Sequence, residues 1–362
     1  MKLILNTSLL QTMVAKSMKG ASCNKMIPIT GLMAIQLKDH KLTLITTDAT
    51  NYLYITEDKV DGEDFYVVVQ ADMFSKLVSK LTCENVTLVV ADNTLNIKGN
   101  GNYKIELPLN EEGELIKYPD PLSRDTSLED AGEINLSTVR LVLNTSKAAL
   151  ATSLEVPCYT GYYAGDKIVS TDTYKICGID IQLFDVPALI SAETMDLLDV
   201  FVDEKIQVLR ANNTIAFVTP SSTVYGKLMD NIEDYQIDAI SGLLDQEFDS
   251  FCKISKAELL RLLDRLSLFV SPYDKNGIYL TFTQNGLQIE SKQANSSEVI
   301  GYVESSNFKP FTCCIDIEML HSQVKANTSD SIEIHYGEEN AIKLAEGNTT
   351  QIIALLDDDR IQ

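Results

Sequence analysis

Phe251-Cys252-Lys253-Ile254-Ser255-Lys256-Ala257-Glu258 is a strand running straight into a helix start. The first four residues form a short β run. Ser255 stands at the N-cap, and Glu258, three residues on, completes a capping box that satisfies orphan N–H groups of the first turn. The helix then carries Leu259, Leu262, Leu263, Leu266, Phe269 and Val270 on one face. Pro272, Asp274, Asn276 and Gly277 break it. Ile278–Thr283 alternates, turns at Gln284-Asn285-Gly286 and returns as Leu287–Glu290, and a third strand covers Val299–Val303. The same order then restarts. Phe311–Ile315 is a strand, Asp316 caps a helix reaching about Ala326, and strands follow at Ile332–Tyr336, Ala341–Leu344 and Gln351–Leu355. The stretch is β-α-β-β-β written twice, offset by roughly 60 residues.

Upstream, the pattern recurs. Leu3-Ile4-Leu5-Asn6-Thr7-Ser8-Leu9-Leu10 and Ile134-Asn135-Leu136-Ser137-Thr138-Val139 match the strand-to-helix start. Leu44-Ile45-Thr46-Thr47-Asp48, Ile168-Val169-Ser170-Thr171-Asp172 and Leu287-Gln288-Ile289-Glu290-Ser291 match as strands ending in a polar corner. Gln70-Ala71-Asp72-Met73, Ser191-Ala192-Glu193-Thr194 and Asp316-Ile317-Glu318-Met319 match as second helix starts. The spacing of about 120 residues is domain-sized, beyond the roughly 20–50 of a solenoid repeat. The sequence predicts three tandem α+β domains, 1–120, 132–240 and 248–357, with helices on one face of antiparallel sheets. Polar linkers from Pro119 to Gly132 and from Asp238 to Ser250 separate them. Three similar domains suggest a curved or ring-like object rather than one catalytic cleft.

Length and composition agree. The chain has 362 residues, enough for three separate cores, and its 45% apolar content argues against disorder. No run approaches the ~18 apolar residues of a membrane span. Met1-Lys2-Leu3-Ile4-Leu5-Asn6 lacks a signal-peptide apolar region, so a cytoplasmic location is expected. Seven irregularly spaced cysteines, without a C-x-x-C, read as free thiols, with one of the adjacent pair Cys313 and Cys314 facing inward and the other outward. The net charge of −22 excludes a simple basic-surface DNA binder, though not one whose bases are gathered in one place.

The helix faces show such gathering. Opposite the apolar stripes lie Lys16 and Lys19, then Lys76 and Lys80, then Arg140 and Lys147, then Arg261 and Arg265, and finally His321 with Lys325. Five of six helices thus carry a basic pair in a strongly acidic chain. Lysines decorate any solvated helix, but this segregation favours a common surface that tracks phosphates. The exception is the second helix of the middle domain, with Glu193, Asp196, Asp199 and Asp203.

Catalytic signatures are missing. His40, His321 and His335 stand alone at metal-ligand spacing, and no P-loop, G-x-S-x-G, H-E-x-x-H or G-x-G-x-x-G occurs. Lys98-Gly99-Asn100-Gly101-Asn102 reads as a hairpin turn, Asp48 and Asp172 as turn-stabilising corners, and Asp357-Asp358-Asp359 as a solvated acidic tail. No enzyme activity, cofactor or metal is expected.

Three doubled β-α-β-β-β units with basic helix faces resemble the bacterial-type DNA polymerase III beta subunit, the DNA sliding clamp. The match rests on Lys41-Leu42-Thr43-Leu44-Ile45-Thr46-Thr47-Asp48, on Ile168 to Asp172 continuing into Thr173-Tyr174-Lys175-Ile176, and on Lys227-Leu228-Met229-Asp230 with Asp234-Tyr235. Its divergence suggests a bacteriophage or otherwise distant version. The resemblance implies a head-to-tail homodimer ring around double-stranded DNA, reading no sequence and tethering a replicative polymerase after placement by a clamp loader. It also implies a peptide pocket between the second and third domains. Carried over, that pocket comprises Pro157, Thr160, Thr171, Thr173, Tyr174, Lys175, Ile176, Ile237, Ile352, Ile353, Ala354, Leu355 and Leu356. The dimer contact maps to Tyr103 and Ile105 against Phe269 and Val270, which read equally well as intradomain core. Two departures stand out. The family usually has a glycine where Thr173 stands, and a short Met-Pro-Met-Arg-type tail where this chain ends Leu355-Leu356-Asp357-Asp358-Asp359-Arg360-Ile361-Gln362. The alternatives are a non-DNA scaffold of repeated domains, which has no reason to segregate bases, and a hydrolase at the domain interfaces, which lacks a nucleophile motif.

Overall fold

A computed structural model of the chain describes residues 1–338 and 340–358. The first repeat runs β1 Lys2–Asn6, α1 Thr7–Ser17, β2 Leu32–Lys38, β3 Lys41–Thr47, β4 Tyr52–Glu57, β5 Phe65–Gln70, α2 Ala71–Val78, β6 Asn85–Ala91, β7 Thr94–Lys98 and β8 Asn102–Glu106. The second runs β9 Glu129–Asn135, α3 Leu136–Thr145, β10 Gly161–Ala164, β11 Ile168–Thr171, β12 Lys175–Ile179, β13 Ala188–Ser191, α4 Ala192–Leu197, β14 Lys205–Arg210, β15 Thr214–Val218 and β16 Ser222–Lys227. After α5 Ile237–Leu244, the third runs β17 Ser250–Ser255, α6 Lys256–Leu266, β18 Gly277–Thr283, β19 Gly286–Ser291, β20 Ser297–Ile300, β21 Glu304–Ser306, β22 Phe311–Asp316, α7 Ile317–Ala326, β23 Ser331–Tyr336, β24 Ala341–Glu346 and β25 Thr349–Ala354.

The helix starts follow the local chemistry. Asn6 Oδ1 accepts from the N–H groups of Ser8 and Leu9, Ser255 Oγ from Glu258, and Asp316 Oδ1 from Glu318 and Met319. Leu259, Leu262, Leu263 and Leu266 bury the α6 stripe in the third repeat's core.

Sheet pairing exchanges first strands between half-units. β1 joins the β6-β7-β8 meander and β5 joins β2-β3-β4; β9 joins β14-β15-β16 and β13 joins β10-β11-β12; β17 joins β23-β24-β25 and β22 joins β18-β19-β20. All these pairs are antiparallel. The last strands of two meanders then pair with those of two others, β4 with β16 and β12 with β25. Cα proximity divides the chain into two compact units. One contains Met1–Val139 with Glu193–Leu228, and the other Arg140–Ala192 with the chain from Met229 on. The middle repeat is split because each half of its sheets is built into a neighbouring repeat.

Four local readings change. The third strand of the last repeat stops at Ile300; the chain leaves at Gly301, and Glu304–Ser306 covers the open edge of β17 instead. Cys313 and Cys314 are both buried, because the segment after β25 lies along β22 and Leu356 N–H donates to Cys314 O. The second linker contains α5, whose Ile240 and Leu244 pack with Ile176 and Ile352. The first linker is already strand from Glu129, entering through a register shift with Gly132 at φ +110°.

Candidate functional site

The polar corner after β11 is built by hydrogen bonds. Thr171 Oγ1 donates to Lys175 O at 2.8 Å and accepts from Thr173 N–H, while Asp172 Oδ1 accepts from Tyr174 and Lys175 N–H groups at 3.0 and 2.7 Å. This Asx-type turn drives Thr173 to φ +79°. It leaves the Tyr174 ring 60% exposed. Lys175 Nζ folds back, donating to Ala148 O at 2.8 Å beside Asp172 Oδ2 at 3.2 Å.

The C-terminal segment lies against this corner. Ile352 and Ile353 pair with Ile176 and Lys175, and Ala354 N–H donates to Tyr174 O at 2.9 Å. Leu355 N–H donates to Asn340 O and Leu356 N–H to Cys314 O. Pro157 opens the 3-10 turn Pro157–Thr160, which Thr160 Oγ1 closes by donating to Pro157 O. Below, Tyr235 from the linker is edge-on to Tyr159 at 5.1 Å and donates its hydroxyl to Val169 O. Burial of that phenol drives its pKa well above the ordinary value.

Of the residues expected to line a peptide slot, Ile176 and Ile352 share one buried apolar cluster with Ile237 packed against it. Pro157 and Thr160 bracket that cluster's Cys158 and Tyr159, and Tyr174 and Ala354 meet through a backbone hydrogen bond, whereas Leu355 packs on the third repeat's core. Thr171, Thr173 and Lys175 shape the polar corner. Ile353 does not join the cluster; it is fully buried in the third repeat's core, because strand alternation points it away from Ile352. Leu154 and Val156, 77% and 38% exposed, flank Pro157 and were not singled out from the sequence. Their signal was two apolar residues in an otherwise polar crossover just before a proline.

An equivalent corner follows β3. Thr47, Asp48, Ala49 and Asn51 repeat the hydrogen bonds, with Thr47 Oγ1 on Asn51 O, Ala49 N–H on Thr47 Oγ1, and Thr50 and Asn51 N–H groups on Asp48 Oδ1. There Asn51 stands where Lys175 stands, and Thr194 Oγ1 donates to its Oδ1 at 2.7 Å. Gly226 has no room for a Cβ, which would meet that oxygen at 2.4 Å. At the first corner this position is a buried asparagine held by Thr194; at the second it is Lys175, which turns back to Ala148 O.

The helix-face bases are exposed at Lys19, Lys76, Lys80, Arg140, Lys147, Arg261, Arg265 and Lys325, and Lys16 is half-buried. Lys19, Lys80 and Lys147 sit just beyond the α-helices, in the turns that end them. Two of the charges are already matched. Lys76 pairs with Asp72 at 2.7 Å, and Arg265 donates from Nε and Nη2 to Glu298 of β20. His321 lies 3.0 Å from Asp264. Glu193 and Asp196 of α4 and Asp199 of the 3-10 turn that follows are exposed, but Asp203 lies past that turn and accepts from Ser221 Oγ at 2.6 Å. Burial pulls the Asp203 carboxyl up, but hydrogen bonds from Ser221 and Thr219 and the Lys16 charge outweigh it and hold it below its usual value.

At the predicted dimer contact, Tyr103 and Phe269 are 36% and 45% exposed. Ile105 is buried at 2% and Val270 packs against the third repeat's core, so both serve their own domains. Asp357 is exposed as a solvated tail would be, but Asp358 is not: it pairs with Lys292 at 2.7 Å. Asp359 to Gln362 lie outside the described residues.

The family model for the DNA polymerase III beta subunit, N-terminal domain, matches residues 1–119. Among solved structures, the DNA polymerase III beta chain of Streptococcus pneumoniae is similar at 16% identity and a TM-score of 0.85, covering 99% of this chain and 100% of that one. The DNA polymerase sliding clamp of Bacillus subtilis is similar at 16% and 0.81, covering 99% of both chains. The DNA polymerase III beta subunit of Borrelia burgdorferi is similar at 17% and 0.84, covering 98% and 99%. No curated protein sequence matches the chain. Residues 1–119 are thus similar to the N-terminal domain of the DNA polymerase III beta subunit, and the chain as a whole has the fold of the DNA polymerase sliding clamps.

Proposed function

We propose that the protein is a DNA sliding clamp, a non-enzymatic processivity factor that acts as a head-to-tail homodimer around duplex DNA in the cytoplasm. A clamp loader places it, and a replicative polymerase is tethered through the slot beside Tyr174. The observation carrying this reading is the pairing rule of the meanders. β4 pairs with β16 and β12 with β25, which leaves β8 and β20 as the two meander ends without such a partner among the described residues. Two copies that add the same joint between β8 of one and β20 of the other close a ring and cover both edges.

The exposed bases support a DNA-facing role. Among the described residues, Lys19, Lys80, Arg140, Arg261 and Lys325 make no ion pair, and a −22 chain that holds these cations on helix faces and their terminal turns repels DNA elsewhere. A topologically linked protein needs only weak phosphate contacts, so the pairing of Lys76 and Arg265 is tolerable. The scaffold alternative does not account for the segregated bases.

The expected result is retention on nicked circular DNA and loss on linearising that DNA. Retention indifferent to linearisation rules the reading out. Reversal of Lys16, Lys19 and Arg261 to glutamate is expected to lower loading by about tenfold or more relative to the parent at low salt, with the gap narrowing as salt rises and unchanged unfolding curves.

A further inference from the structure

The sequence reads Asp357-Asp358-Asp359 as solvated, yet the Asp358 side chain is only 9% exposed. Its Oδ2 lies 2.7 Å from Lys292 Nζ, and its Oδ1 accepts the Tyr279 hydroxyl at 3.0 Å. Lys292 is itself only 21% exposed. It follows β19 and crosses β18 at Gly277, where a Cβ would meet its Cδ at 2.8 Å. The carboxylate is therefore met by a cation and a phenol on a surface with room for the lysine stem. Two residues upstream, the Leu356 N–H donates to Cys314 O of β22, the last backbone hydrogen bond before the carboxylate. Beyond Ala354 the segment is no longer strand; Leu355 packs on the third repeat's core, and Leu355 and Leu356 both stand half-buried, following directly on the Ala354 N–H that donates to Tyr174 O.

We propose that Asp358 is a positioning residue: anchored by Lys292 and Tyr279, it holds Leu355 and Leu356 as a preformed wall of the peptide slot. This rests on the peptide-docking reading above. A wall set before the peptide arrives spares the complex the ordering of those residues, and that raises affinity without contact between Asp358 and the peptide. An anchor four residues past the last strand matters here because a segment without a strand ladder of its own opens locally unless tied down.

The test measures amide exchange in the full-length protein and anisotropy of a fluorescein-labelled peptide, Gly-Gln-Ser-Leu-Leu-Phe. Asp358→Asn and Lys292→Met are each expected to speed exchange at Leu355 and Leu356 by about tenfold, with β24 unchanged, and to weaken the peptide by a similar factor. The exchanged pair Asp358→Lys with Lys292→Asp is expected to recover part of both. Tyr174→Ala is expected to lose the peptide while leaving exchange at Leu356 as in the parent. Unchanged exchange or unchanged peptide affinity in Asp358→Asn overturns the proposal. Faster exchange in Asp358→Asn, with a parent protein that does not bind the peptide, supports the anchor and overturns the docking reading instead.

Discussion

At the scale of single residues, the two polar corners impose the same cost. Ala49 and Thr173 occupy φ +89° and +79°, a region where a Cβ crowds the backbone. Both side chains are exposed, so neither packs well enough to offset the strain. Removing it is worth about 1–2 kcal/mol, against about 0.5–1 kcal/mol of extra chain entropy in a glycine variant. Thr173→Gly is therefore expected to stabilise the protein by roughly 0.5–1 kcal/mol in urea unfolding, and Ala49→Gly by a similar amount. Thr173→Ala keeps a Cβ and is expected to gain little; a loss of stability in Thr173→Gly contradicts the strain. The resemblance marked Thr173 as a departure from glycine, but the residue type alone did not give the backbone angle. The neighbouring contrast was less legible still. That Asn51 is held by Thr194 while Lys175 turns back to Ala148 O depends, for the first corner, on residues 143 positions apart.

At the scale of elements, two carboxylates tie down the first linker: Asp120 Oδ1 accepts from Tyr54 Oη at 2.8 Å, and Asp125 makes the larger set of bonds. Asp125 accepts from the Ser127 hydroxyl and N–H at 2.5 and 3.0 Å, from Tyr225 Oη at 2.9 Å and from Thr214 Oγ1 at 3.0 Å. These hydrogen bonds, the Ser127 hydroxyl foremost, lower its pKa to about 2. A carboxyl lowered in the folded state contributes stability that is complete above its ordinary value of 3.8 and is lost as pH falls toward about 2. Protease cleavage within residues 119–131 is expected to accelerate between those values, and Asp125→Asn to show the fast rate already at neutral pH. A rate flat across that range in the parent protein would refute the linkage. The linker's polar composition gave no sign of the strand that begins at Glu129. It concealed α5 in the second linker because eight residues with a glycine and two serine or aspartate positions have little helical propensity alone. Tertiary contacts make that helix. Leu244 packs over Gly178, and Lys343 Nζ donates to the terminal carbonyls of Leu244 and Gln246 at 3.1 Å.

At the scale of the whole molecule, element order was legible and strand partnership was not. A period-2 pattern says which face of a strand is buried but not which strand lies beside it. Hence β-α-β-β-β could be read twice per domain, while the exchange of first strands between halves could not. Nor could the sequence point to β20 as an edge, since Val299 read as the start of a longer strand. The proposed joint therefore uses β20, where Val299 is 64% exposed, in place of Phe269 and Val270, together with the β8 residue Tyr103, 36% exposed. A shared antiparallel joint buries such residues against each other, and like charges there are unfavourable. The parent protein is expected to sediment at twice the 40.1 kDa of one chain. Tyr103→Lys with Val299→Lys puts cations on both open edges of every copy. The pair is expected to sediment as a single chain with an unchanged circular-dichroism spectrum and to leave circular DNA as readily as linear DNA. A dimer that survives both substitutions places the joint elsewhere, while a monomeric parent removes the ring itself.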